Sequence, residues 1–436
     1  MSEKKIAGTY FAPGSKADHD YGVSYQGDYQ HLADGTSVAV RLHARALALT
    51  GMPVLLRSFS AEVLTRAGIY EPMHAAGLEE EVLAEIRPND DPENDLRNTS
   101  ASKLPLSVKH FVVHKPEQLH QRLMRGVMGA LDDPEKLMAA RKVIYSQTVL
   151  FSVWERDRID RAMARELSRL GGNWVPCEQN AEMLREAGVE NVTVMPHPYD
   201  PEDPLAQLVR RDPKKIRGKR FYAIGRWEPR KGFAELLETF LLTFAPGEEA
   251  WLTIKSHGRW KGYPTAQEVI GNVLAGPNPG GWTAETIEEH VMLIDGFCSR
   301  SRIRKLHYMN NIYVCCSHGE AWCLPAFEAK VAGNIMIHVP YGGTADFCDG
   351  RDRELPFKMG PVPESYNWTK GSQWAVWSLV HLRRELIDIR APEKFERAPT
   401  FQALFSLRSV GYRMADSLLA ILPEGRARTY LKGQML

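Results

Sequence analysis

Cysteine is scarce in this 436-residue sequence, and its six cysteines have neither CxxC spacing nor the Cys/His spacing of a zinc site. We therefore expect reduced, mostly buried thiols. The sequence also has no apolar run of about 18 residues, and no apolar stretch of about 7 to 15 residues follows its first charged residues. These absences predict a cytoplasmic protein without stable membrane insertion.

An excess of one charge is missing too, because 55 Lys and Arg face 54 Asp and Glu. A net charge of +1 creates no global field that would attract nucleic acid or an anionic membrane. The two halves differ, however. Residues 1–200 hold 23 basic and 28 acidic residues, whereas residues 201–436 hold 32 and 26. We expect the more anionic ligand to bind the second half.

What the sequence does contain is the composition of a folded protein, with 44% apolar and 25% charged residues. Its length predicts two or three domains. Short apolar runs such as 53–57, 108–114 and 148–153 read as strands and alternate with helical patterns such as 37–50. Such alternation is typical of βαβ units and parallel sheets.

Four prolines within residues 195–204 interrupt this pattern, which then begins again. The sequence therefore predicts an α/β protein with two Rossmann-like, doubly wound domains, whose ligands bind in a cleft between them. Near the end of the chain, residues 376–390 have the pattern of an amphipathic surface helix, and residues 401–422 are predicted to form a final helix.

A basic loop, Ile-Gly-Arg-Trp-Glu-Pro-Arg-Lys-Gly, occupies residues 224–232 between a predicted strand and a helix. Arg226 and Lys231 leave the carboxyl edge of the sheet together, and two cations beside helix N-termini suit a diphosphate. Gly225 allows the backbone a close approach or a sharp turn. The alternative interpretation is a solvated basic loop.

A second loop, Ser-His-Gly-Glu-Ala-Trp-Cys-Leu-Pro-Ala-Phe-Glu, follows another predicted strand at residues 317–328. Glu320 and Glu328 are placed so that both can face a pocket at the helix N-terminus, where carboxylates accept hydrogen bonds from sugar hydroxyls. The alternative is a capping Glu320 and a surface Glu328. The Gly-rich segment at residues 340–347 could form an anion-binding nest.

The segments GRWEPRKG, SHGEAWCLPAFEAKVAGN and PYGGTADF, in this order, resemble the nucleotide-sugar half of retaining GT-B glycosyltransferases, especially glycosyltransferase family 4. The pair Glu320 and Glu328 looks like the E-x7-E motif of that family. The resemblance is strong over residues 220–347 and weaker over 148–200. It implies the GT-B fold.

The resemblance also implies roles in the second half. Arg226 and Lys231 would hold the donor diphosphate beside Gly225, and Glu328 would bind the ribose. Glu320 would bind the transferred sugar together with the amides of Ala321, Trp322 and Cys323. Leu324, which follows them, would also contact the donor. The family often has Gly-Phe-Gly where this chain has Ala-Trp-Cys, so the identity of the sugar stays open.

In the first half, the resemblance places Gly35 near the diphosphate and acceptor, and His114 at the end of a strand near the transferred sugar. An N-cap role for Thr36 or Ser37 and an ordinary strand-end histidine are the alternatives. Asp18 and Asp20 form a D-x-D pattern but lie in a polar loop, and we expect no metal site.

The predicted activity is metal-independent, retaining transfer of a sugar from a UDP-, GDP- or ADP-sugar to an acceptor hydroxyl, with the nucleotide sugar as substrate and no cofactor. We expect residues 1–200 to bind a small-molecule or glycan acceptor, residues 201–400 to bind the donor, and residues 401–436 to form a helix crossing back to the first domain. A nucleic acid acceptor is less favoured. A non-catalytic nucleotide-sugar-binding protein, or a transferase acting on modified DNA bases or protein, is the alternative.

Overall fold

The computed structural model describes residues 22–27, 35–52, 54–57, 106–124, 133–276, 278–366 and 369–435. Asp18 and Asp20 lie outside these residues. The chain divides into two compact units, one comprising Met1–Asp200 with Gln402–Leu436 and the other Pro201–Phe401.

The first unit contains a six-stranded parallel sheet with the strand order β2-β1-β3-β4-β5-β6. Its strands are β1 (Val23–Gly27), β2 (Val54–Arg57), β3 (Leu106–His110), β4 (Thr148–Phe151), β5 (Gly172–Val175) and β6 (Val192–Val194). Its helices are α1 (Gly35–Ala48), α2 (Pro116–Met124), α3 (Pro134–Ser146), α4 (Arg161–Leu167) and α5 (Glu178–Glu186).

Both faces of this sheet are covered, as β4 shows. Val149 and Phe151 belong to the apolar cluster that includes residues of α1, whereas Leu150 between them belongs to a second cluster with residues of α4 and α5. Successive side chains of a strand point to opposite faces, so a strand with buried, mostly apolar side chains such as β4 is expected when both faces are covered. The doubly wound architecture predicted from the sequence is confirmed.

The end of the chain adds two helices to this unit, α15 (Leu407–Ile421) and α16 (Arg426–Gln434), after the short α14 (Phe401–Phe405). The predicted helix over residues 401–422 is therefore interrupted, because the side chain of Ser406 accepts a hydrogen bond from the Ser409 amide and caps a new helix. Gly411 brings α15 close to α1, since a Cβ there would lie 2.1 Å from the carbonyl oxygen of Ala46.

The second unit contains another six-stranded parallel sheet, with the strand order β12-β11-β10-β7-β8-β9. Its strands are β7 (Lys219–Trp227), β8 (Ala250–Arg259), β9 (Val291–Ile294), β10 (Ile312–Cys315), β11 (Ile335–His338) and β12 (Arg353–Glu354). Its helices are α6 (Pro204–Gln207), α7 (Phe233–Thr243), α8 (Ala266–Ala275), α9 (Ala284–His290), α10 (Arg300–Met309), α11 (Leu324–Val331), α12 (Gly343–Phe347) and α13 (Leu379–Asp388).

An antiparallel hairpin of β13 (Phe357–Pro361) and β14 (Gln373–Trp377) precedes α13. The amphipathic helix predicted from residue 376 is therefore wrong at its start. Residues 376 and 377 pair in the hairpin, and the side chain of Ser378 accepts a hydrogen bond from the Val380 amide and caps the helix.

All six cysteines lie in the described residues as thiols, and five of them are buried, as predicted. No helix of the described residues combines the length and apolar character that crossing a bilayer requires.

Candidate active site in the second unit

Nine of the eleven predicted site residues lie in the second unit, at or just after the carboxyl ends of its parallel strands β7 and β10. Gly225 and Arg226 lie near the end of strand β7, and Lys231 ends the 3₁₀ turn Pro229–Lys231 that follows. The other six lie between the end of β10 and the first two turns of α11. Ligands of doubly wound sheets bind at this edge, so the topology gathers these residues where a ligand is expected.

The two predicted cations of the basic loop have different neighbours. Arg226 is exposed, and its guanidinium carbon lies 5.9 Å from the centre of the Trp260 ring. The stem of Lys231 packs beside Gly225, where a Cβ would lie 3.5 Å from the Lys231 Cε. Gly232 has a φ of 65°, and its close approach to the Cys316 carbonyl oxygen leaves little room for a side chain.

Glu320 is buried and receives its hydrogen bonds on a single carboxylate oxygen. Oε1 accepts from Lys231 Nζ and Ser317 Oγ and lies 3.3 Å from Nη1 of Arg230. Burial alone would raise the pKa of Glu320, but the Lys231 and Arg230 cations outweigh it and hold the pKa below its ordinary value. Among the described residues, no hydrogen bond is made to Oε2, which leaves this oxygen for a ligand.

Glu328 lies in α11 and is engaged by two residues of α10. Arg300 Nη1 donates to Oε1, and His307 Nε2 lies 3.5 Å from Oε2. Burial opposes ionisation, but the Arg300 charge and then the neighbouring His307 lower the pKa of Glu328 to about 2. Glu328 is therefore an anion at neutral pH, and Arg300 is a neighbour that the sequence pattern did not reveal.

The segment between the two glutamates forms the N-terminus of α11. Cys323 precedes the helix with a φ of 66°, the only positive value at a non-glycine residue in the described part of the chain. Such a conformation is costly for a side chain with a Cβ and is concentrated at functional sites. Ala321 and Trp322 are buried, and Leu324 begins the helix, whose first amides point towards the segment.

A Gly-rich loop packs directly beneath this segment. A Cβ on Gly342 would lie 1.8 Å from the Glu320 carbonyl oxygen, and one on Gly343 would lie 2.4 Å from the Trp322 Cα. The Gly343 amide donates to the same Glu320 carbonyl over 3.2 Å. The backbone around Glu320 is thus positioned by two glycines, and Gly342 also has a φ of 76° that favours glycine.

We expect Gly343→Ala to lower the free energy of unfolding by about 2 to 3 kcal/mol, because the new Cβ meets backbone that cannot move without shifting the site. Gly350→Ala is the matched control, since a Cβ there has no neighbour within 4 Å. Urea unfolding of both variants tests this. Equal stabilities for the two variants would contradict the close packing of the loops.

The hairpin completes the site by tying two loops together. The Ala375 amide donates to the His318 carbonyl over 2.8 Å, and Trp377 Nε1 donates to the Cys316 carbonyl over 2.8 Å. Tyr366, between the two strands, accepts a hydrogen bond of 2.8 Å from the Arg230 amide. Sequence patterns did not indicate this hairpin, whose pairing is not signalled by a short turn.

The two remaining predicted residues lie in the first unit. Gly35 is exposed and begins α1. His114 does not end a strand as predicted, because β3 stops at His110, opposite the last residue of β4. His114 is exposed, and Arg156 Nη2 donates to its Nδ1 over 3.3 Å. The histidine at the end of the strand is His110.

His110 belongs to a buried group of three histidines with His43 and His197. Ring centres of His43 lie 5.4 Å from His110 and 5.0 Å from His197. Burial lowers the pKa of each, to about 4 for His43. The folded unit therefore holds all three histidines neutral at neutral pH.

This arrangement predicts acid sensitivity of the first unit. Unfolded histidine takes up a proton near pH 6.5, whereas folded His43 resists it down to about pH 4. Stability is therefore lost as pH falls from 6.5 towards 4, by roughly 3 kcal/mol for His43 alone. His43→Gln should make this part of a plot of urea midpoint against pH less steep, because His110 and His197 remain. Parallel plots for the variant and the original chain would contradict the prediction.

The described residues contain no group of three His, Cys, Asp or Glu side chains that could hold a metal ion. Charged side chains are concentrated at the candidate site. They are the cations Arg226, Arg230, Lys231 and Arg300 and the anions Glu228, Glu320 and Glu328.

No family model matches the sequence, and no curated protein is similar enough in sequence to match. The fold has many counterparts among solved structures. HepE of Anabaena, solved with UDP, is 12% identical with a TM-score of 0.53, over 92% of this chain and 100% of its own. A glycosyltransferase from Rickettsia africae is 9% identical with a TM-score of 0.52, over 95% and 97%.

The α,α-trehalose 6-phosphate synthase of Burkholderia multivorans is 11% identical with a TM-score of 0.52, over 92% of this chain and 99% of its own. At such low sequence identity, the structural similarity establishes the fold of this chain and nothing further. It confirms the GT-B fold class that the three motifs predicted.

Proposed function

We propose that this protein is a glycosyltransferase that moves a sugar from a nucleoside diphosphate sugar to an acceptor hydroxyl with retention of configuration. The observation that carries the proposal is the cluster in which Lys231 and Glu320 meet at the carboxyl edge of the second sheet. In a nucleoside diphosphate sugar, the diphosphate and the sugar are directly bonded. A cation that binds the diphosphate and a carboxylate that binds the sugar would therefore lie side by side, as Lys231 and Glu320 do.

Cleavage of the bond between the sugar and the diphosphate depends on charge stabilisation more than on a protein nucleophile. As the bond between sugar and phosphate breaks, negative charge grows on the diphosphate, and Lys231 and Arg226 would stabilise it. Glu320 Oε2 would hold a hydroxyl of the sugar, and Glu328 the ribose. A departing phosphate oxygen would take the proton of the acceptor hydroxyl on the same face of the sugar.

The similar structures support this choice of donor class. HepE has been solved with UDP and, in another crystal, with UDP-glucose, and the Burkholderia relative is named as a trehalose 6-phosphate synthase. We propose UDP-sugars as the first donors to test. For the acceptor we propose a sugar or other small molecule bound by the first unit near Gly35 and His114.

A thermal-shift panel with UDP, GDP, ADP and their glucose conjugates tests donor binding, since a ligand that binds only the folded state raises the unfolding temperature. Lys231→Met should reduce the shift, whereas Lys214→Ala, an exposed lysine ahead of β7, should not. Turnover of a bound donor then separates an enzyme from a non-catalytic binding protein. Absence of any shift would contradict the proposal.

Because side chains supply the cations, we expect transfer to persist in excess EDTA. The measurement is the rate with the best donor, before and after chelation, with added Mg²⁺ or Mn²⁺ as the control. Loss of activity in EDTA with recovery on adding metal would contradict metal independence.

A further inference from the structure

A buried ion pair lies beneath the Lys231–Glu320 contact. The side chains of Arg230 and Glu228 are only 8% and 5% exposed, and Glu320 is 6% exposed. Removing charged groups from water is costly, and a buried ion pair is often no more stabilising than apolar residues of similar volume. Fold stability alone is therefore a poor reason for placing a second cation beside Glu320.

The geometry of Arg230 fixes both the backbone and the side chain of Glu320. Nη2 donates to Glu228 Oε1 over 2.8 Å, and Nη1 donates to the carbonyl oxygen of Gly319 over 2.7 Å. The same Nη1 lies 3.3 Å from Glu320 Oε1. Because a guanidinium is a rigid planar fork, the bond to Glu228 sets the direction of Nη1.

The backbone of Arg230 is held as firmly as its side chain. Its amide donates to Tyr366 Oη over 2.8 Å, and its carbonyl accepts from the His318 amide over 2.8 Å. These bonds connect the basic loop to the hairpin and to the loop that carries Glu320. Arg230 is therefore anchored independently of Lys231.

Lys231 faces two demands under the proposed function. Its ammonium is paired with Glu320, and the donor diphosphate would attract the same ammonium. If Lys231 alone balanced Glu320, an arriving diphosphate would leave a buried carboxylate with less compensation and less orientation. A second, anchored cation removes this conflict.

We infer that Arg230, held by Glu228, is the positioning residue that keeps Glu320 oriented and ionised while Lys231 turns to the donor diphosphate. This inference rests on the proposed function of the site. It separates two adjacent cations by role, with Lys231 contacting the substrate and Arg230 acting only through Glu320.

The test compares Arg230→Met, which removes the charge, with Arg230→Lys, which keeps the charge but loses the fork, and Glu228→Gln, which releases the fork. Calorimetry with UDP measures diphosphate binding, and steady-state rates with the best UDP-sugar measure turnover. We expect Arg230→Met to lower kcat about 10- to 100-fold while the Kd for UDP stays within about twofold. Arg230→Lys and Glu228→Gln should show smaller losses of kcat, again with a nearly unchanged Kd for UDP.

The pH profile gives a readout that a merely structural role would not move. The charged and titratable groups facing Glu320 are Lys231 and Arg230 from the 3₁₀ turn and the Cys323 thiol from its own loop. Losing the Arg230 charge removes a cause that lowers the pKa of Glu320. The acid limb of kcat should therefore move to higher pH in Arg230→Met and stay in place in Arg230→Lys.

Unchanged kcat and an unchanged acid limb in Arg230→Met would overturn the inference, as would an equal loss of UDP binding and turnover. If Arg230→Met does not fold, kcat and the Kd for UDP are compared in Glu228→Gln and Arg230→Lys instead, and an unchanged kcat in both would overturn the inference. The proposed function fails separately, when the original chain binds none of the nucleotides or turns over none of the donors.

Discussion

Replacing Lys231 with alanine is expected to lower kcat/KM for the best donor about 100-fold, or ~3 kcal/mol of transition-state stabilisation. The charge on the departing phosphate grows as the bond breaks, so an ammonium aimed at it stabilises the transition state more than the ground state. Steady-state kinetics measure the effect.

Two further variants show whether charge or packing is responsible. Lys231→Met keeps the stem that packs beside Gly225 and should lose nearly as much activity as the alanine variant. Lys214→Ala removes an exposed lysine and should change nothing. Full kcat/KM in Lys231→Ala would show that the lysine serves only to neutralise Glu320.

Substitutions of the two glutamates are expected to affect different kinetic quantities. Glu320→Gln should lower kcat about 30-fold or more while leaving the Kd for UDP nearly unchanged, because Oε2 is proposed to hold the sugar as it develops positive character. Glu328→Gln should weaken binding of UDP and of the UDP-sugar alike, about 10-fold, because the ribose changes little during the reaction. Calorimetry set beside steady-state rates separates the two effects.

The surroundings of Glu328 sharpen this comparison. Glutamine there leaves the Arg300 guanidinium without its carboxylate, so thermal unfolding of the variant should accompany the binding measurement. Glu393→Gln, at an exposed position, is the control. Loss of UDP binding in Glu320→Gln with full binding in Glu328→Gln would reverse the two roles.

Local patterns predicted most of the second unit. The strand from residue 312 follows from an apolar run, and the helix after it follows from Pro325, which fits its first turn. In the first unit, the ends of the strands were predicted less well. Strand β3 stops at His110 because its partner β4 stops at Phe151, and a partner strand 41 residues further along the chain is not visible in the local pattern.

The sequence by itself determined the alternation of strands and helices, the loops that carry Arg226, Lys231, Glu320 and Glu328, and their resemblance to a nucleotide-sugar site. Those features depend on residues close together in the chain, where periodicity, glycine and proline act directly. Only the tertiary structure decided which charges meet. Lys231 reaches Glu320 across 89 residues, and Arg300 reaches Glu328 across 28. Parallel strands bring such loops to one sheet edge, and burial then makes each charge require a partner.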